Sequence, residues 1–346
     1  MIKNYIFADE AMRKIEEGTI EILDSIKYGF GPKGRFVVVM QCGGINNITK
    51  EGSEIAKCIN ISDEFTNVGA QLVKQMSESL KKSSGDGIKL SIILACSILK
   101  ESNKSLMSGI SPYLIVNGME KITEIILTEL KDMSETIETD EVKEKLVNCA
   151  VQDETLSKFI ATLDLTKEIV CERVKEMEIK ITSQEKYKTY VALGDFNDME
   201  YNLRAKKLEK GVDILKKNSE YGYLIGGASA YIKCIAKVQN SIHLLEIDER
   251  IGARIVIRAL EAPLKQLAYT SSLEGEIITQ MVKMSEASMG YDIIQNKLCN
   301  LKEAGVIDFT RVVQNALLEA VSIVSKIIST NGIISAKACI VDESAV

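Results

Sequence analysis

Apolar residues recur at helical spacing through most of the chain. Met12, Ile15, Thr19, Ile22, Leu23 and Ile26 fall on one face of a first helix, because positions three and four apart lie one above another. Gly29, with Gly31-Pro32 just beyond, is a stop signal for that helix. Phe36 to Met40 is a short β-branched run. Gly43-Gly44 and Asn46-Asn47 supply a turn, and Ile48-Thr49 begin a return strand. The pattern predicts a hairpin projecting from a helical body. Further helices are predicted over 64–82, 88–107, 113–132, 139–150 and 153–176. The period then changes to two: Glu178 to Thr182 and Tyr187 to Leu193 alternate across a polar turn and predict two strands. A polar loop, GDFNDMEYN at 194–202, follows. Helices are predicted again over 203–219, 227–238, 249–272, 274–285 and 309–330, with a closing strand from Ala336 to Val341.

Composition narrows the class. The 346 residues are 46% hydrophobic and 27% charged, an ordinary balance for a globular protein with a large core. The net charge of −6 argues against a nucleic-acid partner, and no apolar run is long enough for a membrane span. The N-terminus meets Asp9 and Glu10 before any apolar segment, unlike a secretory leader, so synthesis in the cytoplasm is expected. Eight cysteines (42, 58, 96, 149, 171, 234, 299 and 339) form no CxxC pair, and His243 is the only histidine. That spacing speaks against a zinc site, and a histidine before Leu244-Leu245 reads as structural.

One stretch carries candidate chemistry. SSGDGIKL, residues 83–90, places a glycine turn with one carboxylate before a long helix. Such a helix N-terminus offers free N–H groups to an anion, and Asp86 is a suitable ligand for magnesium. The next three positions, Ile88, Lys89 and Leu90, supply no hydroxyl.

Eight stretches, in order, resemble the bacterial group I (GroEL-type) chaperonins. They are GFGPKGRFVVV (29–39), ITKEG (48–52), NVGAQLVKQ (67–75), GDG (85–87), QDETLSKFIA (152–161), GYLIGGASA (222–230), ARIVIRALEAPLKQLA (253–268) and GYDIIQNKLCNLKEAGVIDFTRV (290–312). The resemblance implies a mainly α fold: a chaperonin equatorial domain, a helical bundle with small β-hairpins, plus a reduced intermediate domain. It divides the chain into equatorial residues 1–135, intermediate residues 136–193, a short loop 194–202 where the family carries its apical domain, an intermediate return helix 203–221, and equatorial residues 222–346. No apical domain is expected.

The resemblance also implies a nucleotide pocket, position by position. Gly31 and Pro32 match the loop around the phosphates, Thr49 and Lys50 the segment beside them, Asp86 the magnesium ligand before Gly87. Gly226 and Gly227 match the glycines near the ribose, and Asp308 an aspartate at the nucleoside. The three threonines that follow Gly-Asp-Gly in the family are Ile88, Lys89 and Leu90 here. Lys89 would pair with a phosphate as a point charge, or with Asp86 in place of magnesium. The family's asparagine at the base is Asp292, which cannot donate when ionised. Counting back from Gly222, the catalytic aspartate falls on Lys210. Glu209 is adjacent but rotated by about 100°, and Asp213 lies on the same face about 4.5 Å further along.

These departures lead to an expected function. No catalytic residue is assigned, and the ATPase activity of the family is not expected to persist. No cofactor is required, with ATP or ADP and magnesium at Asp86 as the alternative. The expected role is a structural protein that assembles with itself into rings stacked as tubes, filaments or sheets, with final assembly at a cell or spore surface. The alternatives are a reduced ATPase that assists folding, or a subunit that regulates full-length chaperonin rings. In the family, the hairpin at 36–49 pairs with a neighbour's terminal strands, here Lys3 to Phe7 and Ala336 to Val341, by β-augmentation. Cys42 and Cys339 would then lie in one inter-subunit sheet, within disulfide range in some registers.

Overall fold

Of the stripe read from the first helix (α1, Ala8–Ile26), Ile15, Thr19, Ile22 and Ile26 are buried and Met12 and Leu23 half-buried. The computed structural model describes residues 3–40, 46–172, 180–184, 186–193 and 198–336. Among them, helices dominate and the sheets are small. The central helix is α4, Ile88–Met107, which matches its predicted range. Its first half is mostly apolar and buried, and it packs against α1, α3 (Glu64–Ser83), α10 (Glu249–Ala259), α11 (Ala262–Thr270) and α13 (Thr310–Ile328). Helix α5, Pro112–Asp132, lies on α10 and α13, and α9, Ser229–Ser241, lies on α5. Short α2, Gly52–Cys58, and α12, Gly275–Met284, complete this body.

Two helix crossings depend on glycine. A Cβ at Gly18 of α1 would sit 1.9 Å from the Thr66 carbonyl of α3, and one at Gly69 2.1 Å from the Ile15 carbonyl. The same reciprocal arrangement joins α5 to α10, through Gly118 against the Glu249 carbonyl and Gly252 against the Ile115 carbonyl. In both crossings backbone meets backbone with no side chain between.

A second, smaller core gathers α6 (Asp140–Val151), α7 (Glu154–Ala161) and α8 (Asp198–Asn218) around Leu146, Val147, Leu156, Ile160, Leu208 and Leu215. It includes a three-stranded sheet. Strand β6, Lys188–Ala192, pairs antiparallel with β5, Lys180–Gln184, and parallel with β4, Glu168–Glu172. The helix predicted over 153–176 is therefore corrected: it ends at Ala161, and Asp164, accepting from the Thr166 N–H and hydroxyl, begins the turn into β4. The loop expected over 194–202 is corrected: α8 starts at Asp198, so 198–202 are helical, and residues 194–197 lie outside the described residues. Strands β7 (Tyr223–Ile225) and β10 (Ile307–Phe309) pair with each other, and Ile307 and Phe309 enter the smaller core.

The helix predicted over 249–272 is two helices. It breaks at Leu260-Glu261, and Pro263 stands in the first turn of α11, where a missing N–H costs nothing. The projecting hairpin is present as β2, Val37–Met40, and β3, Asn46–Thr49, in the register Val38 to Ile48. Strands β8, Met289–Asp292, and β9, Lys297–Asn300, form another hairpin. Strand β11, Gly332–Ala336, pairs antiparallel with β1, Lys3–Phe7, of the same chain; of the closing strand expected from Ala336 to Val341, all but Ala336 lies outside the described residues.

Candidate functional site

The glycine turn before α4 adopts the geometry its sequence demands. Gly85 and Gly87 both have positive φ, +76° and +91°, a region that costs glycine little. Ser84 Oγ donates to the Asp86 carbonyl at 2.9 Å, and Asn218 at the end of α8 donates to the Ser84 carbonyl at 2.8 Å. The turn is thus held from both sides, with the Asp86 carboxylate at its apex.

Two lysines occupy the space around that carboxylate. Lys210 of α8 places its ammonium 2.9 Å from Glu51 Oε1 and 3.6 Å from Asp86 Oδ1. Burial penalises its charge, but Asp86 and Glu51 together outweigh that and hold its pKa above the usual lysine value. Among the described residues no ion pair joins Lys89 to Asp86. Its ammonium donates to the carbonyls of Gly29 at 2.7 Å and Lys50 at 3.0 Å. Burial, then the nearby Lys210 charge, lowers it to about 8. Both loops that would face phosphate are thereby tied down by a side chain from the helix between them.

The other matched positions are likewise occupied by internal contacts. The Thr49 hydroxyl accepts from the Glu51 N–H at 3.0 Å and bonds the Glu54 carboxylate. Lys50 lies over the Phe36 ring, 4.6 Å from its centre. Gly31 has φ of +83°, and a Cβ there would meet Leu267 Cδ1 at 2.1 Å. Leu267 also borders Gly227, so one leucine fills the gap between the two glycine loops. Pro32 is exposed. Gly226 donates to the Val306 carbonyl at 2.9 Å. Asp292 accepts from the Ile294 and Gln295 N–H groups at 2.7 and 3.1 Å, which makes it a turn-former in the β8–β9 hairpin.

Asp308 is brought near Asp86 by the β7–β10 pairing. A cavity of about 50 Å³ is lined by both aspartates, Leu146, Cys149, Ala150, Ile214, Phe309 and Val312. Desolvation, then the Asp86 charge, raises the Asp308 carboxyl to about 7, against a hydrogen bond from the Gly227 N–H that lowers it. Cys149 is pushed up to about 12 by burial, so its thiol stays protonated. Asp213 also reaches the turn. Its Oδ2 would lie 2.8 Å from a Cβ on Gly85, but Lys217 holds it at 2.7 Å and donates to the Lys81 carbonyl as well. Cys42 and Cys339 lie outside the described residues. Among the described residues no cluster of three or more metal-ligating side chains occurs.

Magnesium and nucleotide can be tested against this arrangement. Magnesium wants oxygen at about 2.1 Å in an octahedron and keeps several waters. Here the Asp86 carboxylate faces an ammonium, and the space beside it is that of one or two waters rather than the several hundred Å³ of a ligand pocket. The residues present do not fit a metal–nucleotide complex. The partners that close the site were not readable from spacing: Glu51 lies next to two matched positions with no signal of its own, and Leu267 sits far away in the chain. A model of the TCP-1/cpn60 chaperonin family matches residues 22–183 and 166–338.

Proposed function

The chain belongs to the TCP-1/cpn60 chaperonin family, and on that premise we propose that it is a self-assembling structural protein rather than a folding machine. The observation that carries this reading is Lys210, whose ammonium stands between Glu51 and Asp86 at the position where the resemblance puts the aspartate that directs water at ATP. A lysine cannot accept that water's proton while charged, and its charge is stabilised here. The sequence supports the same reading, since only four residues stand between Leu193 and Asp198, which leaves no chain there for a substrate-binding domain.

Two exposed apolar ribbons support assembly. On the β2–β3 hairpin, Phe36, Val38, Met40 and Ile48 face solvent, Met40 being 82% exposed. On the β1–β11 sheet, Tyr5, Phe7 and Ile334 do the same, with Tyr5 opposite Ile334 in register. Apolar faces of this kind mark interaction surfaces, and among the described residues each sheet has two strands, whose edges suit strand addition. The occupant of each ribbon is the other ribbon of a second copy. A reduced ATPase is the second reading, favoured by the retention of Asp86 and Asp308 about one cavity. Electron microscopy of the purified chain with and without ATP and magnesium, alongside phosphate release, separates them. The structural role predicts the same ordered multimers in both conditions and release at background. Magnesium-dependent release, or assemblies that change with ATP, would establish the second reading instead.

A further inference from the structure

Five lysines of α8 reach away from the helix. Lys206 pairs with Glu54 at 2.9 Å, Lys207 donates to the Gln152 carbonyl, Lys210 bridges Glu51 and Asp86, Lys216 donates to the Lys167 carbonyl, and Lys217 reaches the Lys81 carbonyl. Exposed pairs of this sort contribute little, because water screens them and long side chains lose entropy. Lys210 differs from the rest. Its side chain is 19% exposed and its one ammonium serves two carboxylates, which belong to the turns that begin α2 and α4. Those turns are part of the larger core, whereas Leu208, Val212 and Leu215 beside Lys210 are part of the smaller one.

We propose that Lys210 is a built-in cation: its ammonium takes the place of a divalent metal between Glu51 and Asp86 and pins the smaller core to the larger without metal or nucleotide. Two carboxylates brought to one point need a positive charge between them. A metal ion supplies that charge reversibly, and then the joint between the two cores answers to ligand. A lysine supplies it covalently, and then the joint is fixed at all times. Lys89 completes the device from the α4 side by bonding the Gly29 and Lys50 carbonyls. This inference concerns the joint alone and holds whether or not the chain assembles.

The test is thermal unfolding of the full chain in EDTA and in millimolar magnesium chloride, with no nucleotide. Wild type is expected to melt at one temperature in both. Lys210→Ala leaves Glu51 and Asp86 facing each other; it should melt lower in EDTA by about 5 °C or more and regain part of that loss in magnesium. Adding Asp86→Asn to Lys210→Ala should remove the magnesium response and restore some stability in EDTA, because the repelling pair is gone. If Lys210→Ala does not accumulate as folded protein, Lys210→Gln carries the same comparison, since it keeps a donor and most of the length. A wild-type chain that gains stability from magnesium overturns the proposal. So does a Lys210→Ala chain that melts as wild type in EDTA, or one whose loss magnesium does not touch. Electron microscopy of the same samples reads assembly separately, so loss of the joint and loss of the multimer are distinguishable.

Discussion

Asp308 shows how a retained residue changes its meaning with its surroundings. Its carboxyl is desolvated beside Asp86, which lifts it to about 7 in the folded chain, against an unfolded value near 3.9. The sign follows from linkage. Below the unfolded value both states carry the proton and the residue costs nothing. As pH rises from about 4 to about 7 the unfolded chain releases its proton first, so stability falls across that window and levels off above it. Asp308→Asn removes the titration and keeps an acceptor for the Gly227 N–H. Urea unfolding at a series of pH values should show the variant gaining on wild type from about pH 4 to pH 7, then a constant lead. A constant difference at all pH values would mean that Asp308 is ionised in the fold. The identities of the site were legible as departures from a family pattern: Lys210, Lys89 and Asp292 all stand out in the sequence. Their partners were not legible. The expectation for Lys89 was a charge partner, and it found carbonyls, because the nearest acceptors to a side chain at that depth are the backbone of the two loops packed on it.

Elements were readable where one pattern governed a long span. Helix α4 is apolar through most of its first three turns and bounded by Gly87 and Ser108, and it occupies the predicted span. Patterns failed where the span was short or where two elements share one period. Residues 168–172, EIVCE, carry apolar side chains that fit a helical stripe as well as a strand. Only the presence of β6 to pair with decides for the strand. Strands β7 and β10 have three residues each, too few for any period to show. The glycine crossings are a third case, since a glycine within a helical stripe looks like a weakness in sequence and acts as a contact in the fold. Gly252→Ala tests this. On an open helix face alanine would stabilise by up to about 1 kcal/mol. Here the new methyl would lie 2.1 Å from the Ile115 carbonyl and 2.9 Å from the Met119 nitrogen, and α5 must move to admit it. A loss of about 1–3 kcal/mol in chemical unfolding is expected. A neutral or stabilising result would show that the α5–α10 crossing is looser than its geometry indicates.

At the scale of the whole molecule, the two apolar ribbons are different surfaces of one chain. A contact between a patch and its own copy closes on itself as a dimer, whereas a contact between two unlike patches passes from chain to chain and makes a ring or a filament. The proposed pairing of hairpin to terminal sheet is of the second kind, and that makes a sharp prediction. Val38→Asp puts a charge in the middle of the hairpin face, opposite Ile48. Ile334→Asp does the same to the terminal sheet, opposite Tyr5. Both positions are exposed, 58% and 64%, so neither change should alter the helical content or the folding of the monomer, and Met107→Asp, 90% exposed and in neither ribbon, is the control. Each ribbon variant alone should run as a monomer in size-exclusion chromatography with light scattering. Mixed in equal amounts, they should form dimers and stop there, because one chain contributes a sound terminal sheet, the other a sound hairpin, and each has no second face left. Dimers from Ile334→Asp alone would mean that hairpin pairs with hairpin. Large assemblies from both single variants would place the contact elsewhere on the molecule and remove the ribbons from the account.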